Sequence, residues 1–294
     1  MSVYSSSSFP PANSSSITLF KFIQKCYNTT VGTYTVITFT VTLLLLILPL
    51  CVFVIYLGFQ RWRQQRSGTT TSHSDVVTFH MVAIELMNIV GNIVFCIGVL
   101  TRLRQLMMAG VCIFITYSCG QLLFHILTCV ERYLAVVHPV TYLGLKKGKG
   151  IRLRNISIGC VWLLSFANAC LLFVEDTHSI NIIYSCNLSF IFMVICFCSL
   201  SVLYVLIRPG PGAGGEGRPR ADQSKMRAFY TIMIILGVLF FRLVVTAVNS
   251  NVYSSPVVGQ TEKCSLWFSL AWFTLPSSLV LPLLFIHRAG KLSL

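Results

Sequence analysis

The sequence predicts an all-α membrane protein, a seven-transmembrane helix bundle with its N-terminus outside and its C-terminus inside. Of its 294 residues, 55% are hydrophobic and only 10% are charged, whereas a soluble protein carries about 25% charged residues. Seven windows each approach the ~20 apolar residues that cross a bilayer. The segments that connect these windows differ in their content of basic residues, and this difference predicts the orientation.

The seven windows divide the chain into three predicted regions. The windows cover residues 34–59, 76–100, 108–134, 156–174, 182–207, 229–248 and 266–286. The first is the most apolar, and the third and seventh hold the most polar residues. Residues 209–215 are too rich in Gly and Pro to hold a helix and predict a cytoplasmic linker. Residues 1–33 are therefore predicted as an extracellular segment, 34–286 as the seven-span domain and 287–294 as a short cytoplasmic tail.

Lysine and arginine residues decide the predicted orientation. With the N-terminus outside, fifteen of them lie in cytoplasmic segments and five in outer segments, in agreement with the positive-inside rule. The acceptor asparagines Asn13 and Asn28 then lie where N-glycosylation occurs. The inner loops account for the net charge of +14, so nucleic acid is not expected as a partner. No signal peptide is recognisable, and the first span is expected to act as its own membrane signal.

Cysteine is frequent, but its placement argues against a disulfide scaffold. Nine of the twelve cysteines fall within apolar runs, where cysteine is usually a small buried hydrophobe. Only Cys26, Cys186 and Cys264 are predicted to lie outside, where an oxidising compartment permits bridges.

The inner end of the third predicted span carries the motif that indicates a function. Glu131-Arg132-Tyr133 is followed by four apolar residues and then by His138-Pro139. This run resembles the Asp/Glu-Arg-Tyr motif and second inner loop of rhodopsin-like G-protein-coupled receptors. The alternative is an ordinary charged cap at the membrane interface.

The resemblance implies a receptor in the plasma membrane that passes an extracellular signal to a heterotrimeric G protein. It implies that Arg132 is the switch, held at rest by Glu131 and extended toward the G protein when active. Many members also pair this arginine with an acid at the base of helix six, where this chain has the basic residues Lys225-Met226-Arg227. The resting state is therefore expected to depend on Glu131 alone.

Other parts of the family pattern are present in altered form. Trp162 matches the family's tryptophan of helix four, and Glu85 stands where helix two usually has Asp. Pro282 and Phe285 are what remains of the Asn-Pro-x-x-Tyr motif, and Pro49 takes the place of a Gly-Asn pair. Residues 239–243 lack the usual tryptophan and proline of helix six.

Polar residues within the predicted spans form two stripes. Glu85, Asn88 and Asn92 share one helical face, and Gln121 and His125 lie on a face of the third span. Because polar groups in lipid are costly, both stripes should face the interior of the bundle. One interpretation is a hydrated network in which Glu85 is a candidate sodium ligand, as in the family. The other is interhelical hydrogen bonding that holds the bundle together.

Arg242 is the only basic residue well inside the sixth predicted span. It is a candidate counter-charge for an anionic ligand, such as a lipid phosphate or a nucleotide. Snorkelling, or pairing with a backbone carbonyl, is the alternative. The ligand class is therefore left open.

The resemblance also bears on the disulfides. The family usually ties its second outer loop to the top of helix three, but that position is Met107 here, and the nearest cysteine, Cys112, lies about 7.5 Å deeper. Cys186 is therefore expected to be free, or bound to Cys112 by a loop that dips into the bundle. Since helices one and seven are neighbours in the family fold, Cys26 and Cys264 are expected to form a bridge.

Two other classes remain as alternatives. A channel or transporter also uses intramembrane Glu, His and Arg, and a non-signalling decoy or scaffold would tolerate the altered motifs. An enzyme is not expected, because no zinc-binding or phosphate-binding motif is present. No cofactor or metal is implied apart from the sodium candidate, and membrane lipid is the remaining expected partner.

Overall fold

The computed structural model describes residues 22–27, 29–64, 73–145, 148–174, 177–207 and 259–288, together with parts of the segment 230–248. Within that segment, residues 230, 233–238, 240–242, 244–245 and 248 are described, and all are helical. The first short helical segment covers residues 22–27. The remaining helices are α1 (Thr30–Thr42), α2 (Leu48–Gln64), α3 (His73–Thr101), α4 (Arg104–Val137), α5 (Pro139–Leu145), α6 (Gly148–Val174), α7 (Thr177–Ile207) and α8 (Gln260–Arg288).

Five stretches in the described part of the chain are helical, long and apolar enough to cross a membrane. They are Thr30–Gln60, Val76–Thr101, Arg104–Val137, Gly150–Cys170 and Ser185–Val205, and they coincide with the first five predicted windows. The sixth window contains a shorter apolar helix, Met233–Arg242, and the seventh lies within α8. The chain is therefore an all-α, multi-pass membrane protein.

The surface of these helices is as apolar as their sequences predict. Leu45, Leu163 and Phe190 are 74%, 71% and 67% exposed. Such exposure is unfavourable in water but is expected for side chains that face lipid. The buried faces instead carry the ionisable and amide side chains near the middle of the spans, such as Glu85, Gln121 and His125.

Helix α4 occupies the centre of the bundle and contacts α3, α6 and α7 along its length. Its closest partner is α3, and glycine allows the approach. A Cβ atom on Gly91 would lie 2.5 Å from Ile113, and one on Gly110 would lie 2.5 Å from the Cβ of Phe95. Small residues at a helix interface let two backbones come close together in a membrane.

The tight connection between α3 and α4 has a defined cap. Arg102 adopts a φ of 57°, and the Leu103 amide donates a 3.1 Å hydrogen bond to the Gly98 carbonyl. This arrangement satisfies carbonyl groups at the end of α3 and reverses the chain within three residues.

Two opposite ends of the bundle are referred to below. The disulfide end holds the bridge between Cys26 and Cys264, whose Cα atoms lie 5.4 Å apart. The bridge packs with Ile23, Phe95 and Met107. The motif end holds Glu131-Arg132-Tyr133 in the last two turns of α4. The residues of α4 between Met107 and Glu131 span about 36 Å.

The first long helix contains a π-helical turn, Leu43–Ile47, between α1 and α2. The Leu48 amide donates to the Leu43 carbonyl, five residues back. Pro49 follows directly, and a proline ring within an α-helix clashes with the carbonyl four residues before it. The wider turn displaces those carbonyls, so the helix continues through Pro49 to Gln64.

Candidate functional site

The centre of the bundle contains a buried polar cluster, here called the Gln121 hub. Its members come from α3, α4, the sixth predicted span and α8. They are Glu85, Tyr117, Ser118, Gln121, Arg242, Thr274, Ser277 and Ser278, and all are buried. Polar side chains are rare in a membrane interior. Those that occur there usually have a function or form hydrogen bonds between helices.

The amide of Gln121 joins most of the hub. Its Nε2 donates to Glu85 Oε1 at 2.9 Å and to Ser278 Oγ at 3.2 Å. Its Oε1 accepts from Arg242 Nη1 at 2.7 Å and lies 3.1 Å from Ser277 Oγ, which shares its one hydrogen between this oxygen and the Thr274 carbonyl. A side-chain amide carries both donors and acceptors, so one neutral group is bonded to an acidic and a basic side chain at once.

Arg242 is bound within the hub by side chains. Besides its bond to Gln121, its Nη2 donates to Ser118 Oγ, and the side chain is only 4% exposed. Both of these contacts are with side chains of α4. The role of Arg242 as a counter-charge for an anionic ligand stays a prediction.

Helix α8 contributes hydroxyl groups around a proline. Ser278 Oγ and the Tyr117 hydroxyl lie 2.8 Å apart in a hydrogen bond, and Ser277 Oγ donates to the Thr274 carbonyl at 2.7 Å. Pro276 lies within this helix and lacks an amide donor. The hydroxyls of Thr274 and Ser277 bond to backbone carbonyls in the turns around this proline, so the same residues contact the helix backbone and build the hub.

The structure separates the polar residues that the sequence places together. Glu85 and Gln121, which belong to different predicted stripes, are bonded to each other. Asn88 and Asn92 instead bond to each other on α3, with Asn92 Nδ2 2.8 Å from Asn88 Oδ1. His125 is 1% exposed, and neither ring nitrogen has a hydrogen-bond partner within the described residues.

Five hub residues escape prediction from the sequence, Thr274 and the four that follow. Tyr117, Ser118, Ser277 and Ser278 lie in apolar windows, where small hydroxyl residues and tyrosine are common and carry no distinct signal. The available signal is their spacing. Tyr117 and Ser118 lie one turn before Gln121, and the serine pair directly follows Pro276.

At the motif end, Glu131 is buried and is held by the short helix α5. The Tyr142 hydroxyl of α5 donates to Glu131 Oε1 at 3.3 Å. The Tyr133 hydroxyl lies 3.4 Å from His138 Nε2. The centroid of the Tyr133 ring lies 6.0 Å from that of the Phe197 ring in α7. Arg132, between Glu131 and Tyr133 in the sequence, is half-buried. The motif is thus packed against both the following loop and α7.

The remaining predicted residues are placed as follows. The predicted bridge between Cys26 and Cys264 is present, while Cys186 and Cys112 are free thiols. Pro282 is buried in α8. Phe285 lies in the same helix, and its side chain is outside the description, as are Asn13 and Asn28.

The function is indicated neither by a metal site among the described residues nor by similarity to a known protein. The described residues include no group of three or more His, Cys, Asp or Glu side chains that could hold a metal ion. No family model matches the chain, and no curated protein matches it.

Proposed function

We propose that the chain is a G-protein-coupled receptor of the plasma membrane, with seven spans, its N-terminus outside and its C-terminus inside. In this proposal it passes an extracellular ligand signal to a heterotrimeric G protein, and Arg132 is the switch. The observation that carries the proposal is the motif Glu131-Arg132-Tyr133 at the end of the central helix α4. Glu131 is buried there and bonded to Tyr142 in the adjoining loop helix.

The Gln121 hub supports a receptor because it ties the sixth span to the rest of the bundle. Arg242 reaches Gln121 and Ser118 on α4, and the same amide contacts Glu85 on α3 and serines on α8. Transmission of a signal requires an element that has two arrangements. The equilibrium between these arrangements must depend both on the ligand site and on the G-protein site. The hub is the polar contact that a displacement of the sixth span has to break.

Recruitment of Gα proteins tests the proposal. The chain is expressed in cells with luminescent reporters for each of the four Gα classes, and basal and ligand-stimulated recruitment are measured. Arg132→Ala is expected to abolish recruitment at matched surface expression, because it removes the charged side chain that reaches the G protein. Arg152→Ala, at an exposed position of α6 on the same predicted side of the membrane, is expected to retain it.

Two results would contradict the proposal. Equal recruitment by the wild type and Arg132→Ala would make the triplet an interfacial anchor. Substrate flux in vesicles without recruitment of any Gα class would identify a transporter or channel instead.

The proposed topology has its own test. Both acceptor asparagines, Asn13 and Asn28, lie before the first span and are expected to be extracellular. The double variant Asn13→Gln/Asn28→Gln is expected to lose the mobility shift that a glycosidase produces. A shift that persists in this variant, or protection of the N-terminus from protease added to intact cells, would reverse the assignment.

A further inference from the structure

A cavity of about 160 Å³ lies at the disulfide end of the bundle. It is lined by residues 22–27, α1, α3, α4 and α8 and is partly open. It is separate from the Gln121 hub, since none of the hub side chains lines it. Its volume is suited to a molecule with one aromatic ring, because an apolar cavity of about 150 Å³ in another protein binds benzene.

Five of the fourteen described residues that line the cavity are aromatic. Tyr27 and Phe95 form an edge-to-face pair with ring centroids 4.9 Å apart, and Phe39 and Trp272 form another at 5.4 Å. No charged side chain is found among the described residues that line it. Such a wall favours a neutral, flat molecule and disfavours the anionic ligands that Arg242 would suit.

The polar groups of the wall offer hydrogen-bond acceptors. Asn92 places Nδ2 2.8 Å from the Asn88 carbonyl and 2.8 Å from Asn88 Oδ1. A backbone carbonyl only accepts, which fixes the atom facing it as the nitrogen. The oxygen Oδ1 of Asn92 receives no hydrogen bond from the described residues, so it is the atom of this amide left for an occupant.

Thr35 is a further polar residue of the wall, besides Tyr27 and Trp272, whose hydroxyl and indole N–H are donors. Its hydroxyl donates to the Val31 carbonyl at 2.8 Å, which uses its only hydrogen. Its oxygen can therefore only accept from an occupant. The acceptors on Asn92 and Thr35 thus favour a molecule that brings its own donor.

The cavity is closed at one end by the N-terminal segment. Ile23 and Tyr27 line it from residues 22–27, and Cys26 between them is bonded to Cys264 of α8. The bridge holds this segment over the cavity. On the opposite side, the Phe114 ring of the wall packs 6.0 Å from Tyr117 of the hub.

We infer that this cavity is a binding site for a small neutral aromatic or similarly apolar molecule that carries one hydroxyl or amine donor. The donor bonds to Asn92 Oδ1, and the apolar body packs among the five aromatic side chains of the wall. As the ligand site of a receptor this inference rests on the proposed function. As a binding site it does not, and it is tested without a G protein.

Photolabelling of the full chain in lipid nanodiscs tests the inference. The probe is a phenol that carries a methyl diazirine, and the competitors are p-cresol and p-xylene, which differ by one hydroxyl. Labelled residues are identified by peptide mass spectrometry. We expect saturable labelling of wall residues such as Phe114 and Trp272, with both competitors reducing it.

Variants separate binding in the cavity from partition into lipid. Ala271→Phe adds a ring at the wall and is expected to lower labelling to the level seen with excess competitor, whereas Ala167→Phe, at an exposed position of α6, retains it. Thr35→Phe fills the cavity from α1 and serves if Ala271→Phe does not fold. Asn92→Leu is expected to lower the ratio of p-cresol to p-xylene affinity about fivefold, the value of one hydrogen bond.

Three outcomes overturn the inference. These are labelling that does not saturate, labelling confined to lipid-facing residues such as Leu163, and competition by oleate but not by p-cresol. Saturable labelling that is lost in the cavity-filling variants supports it. If that labelling is found while no Gα class is recruited, the binding site stands and the proposed function fails.

Discussion

Replacing Gln121 with methionine removes the central amide of the hub while nearly preserving the shape of the side chain. In the wild type this amide makes four side-chain hydrogen bonds, the one from Ser277 being shared with the Thr274 carbonyl, and it is fully buried. Methionine cannot replace any of them. Glu85 loses a donor and Arg242 loses an acceptor, and both remain buried. We therefore predict that Gln121→Met is destabilising.

The structure and the membrane setting bound the size of the effect. Hydrogen bonds between membrane helices average about 0.6 kcal/mol and reach about 1.7 kcal/mol, because the unfolded helices find other partners in the membrane. Bonds to ionisable groups lie at the upper end of the range. Two of the four bonds involve such groups, so we expect the free energy of unfolding to fall by about 2–4 kcal/mol.

Reversible unfolding in mixed micelles, titrated with SDS and followed by tryptophan fluorescence, measures this change. Gln60→Met is the control, because Gln60 is exposed on α2, and it should unfold as the wild type does. The double variant Gln121→Met/Arg242→Met should cost less than the two single changes together, since they share a bond. A Gln121→Met protein within about 0.5 kcal/mol of the wild type would refute the idea that the hub stabilises the bundle.

Two further predictions concern the disulfide and the helix packing. Cys264→Ser opens a bridge that spans 238 residues and should lower the free energy of unfolding by about 2–4 kcal/mol; recovery of Cys26 as a free thiol from folded wild-type protein would contradict the assignment. Gly110→Ala should cost about 1–3 kcal/mol, because its Cβ would lie 2.5 Å from a Cβ atom of α3. Gly159→Ala meets no atom within 4 Å and should be neutral or stabilising by up to about 1 kcal/mol, so equal losses in thermal unfolding for both variants would refute the packing argument.

The long apolar helices were predictable because their signal is local. Twenty consecutive apolar residues satisfy the bilayer whatever surrounds them, so the first five windows coincide with helices. Residues 22–27 carry no such signal. Their position depends on Cys264 of α8, the partner of Cys26. It depends also on four helices, distant in sequence, that meet around the cavity. The π-helical turn before Pro49 was likewise not predicted, since proline indicates a disturbed helix but not how it is accommodated.

The hub was predictable only in part, for a different reason. Periodicity assigns a polar residue to a face of its helix, and it correctly directed Glu85 and Gln121 inward. It does not choose partners among several polar residues on one face. Asn88 therefore bonds to its own helix, and His125, one turn from Gln121, lies outside the hub. Arg242 could be recognised as unusual, but its contact with Gln121 depends on how the sixth span packs.

The π-helical turn at Leu43–Ile47 sets the phase between the two halves of the first span. A turn closed by a bond to the fifth residue back holds one residue more than an α-helical turn. One residue corresponds to about 100° of rotation around the helix axis. The half that carries Thr35 and Phe39 toward the cavity is therefore rotated relative to the half that packs Cys51 and Val54 into the core. Deleting one residue from this turn together with Pro49→Ala would restore a continuous α-helix with both faces kept in place. Making either change alone would turn one half of the span away from its neighbours.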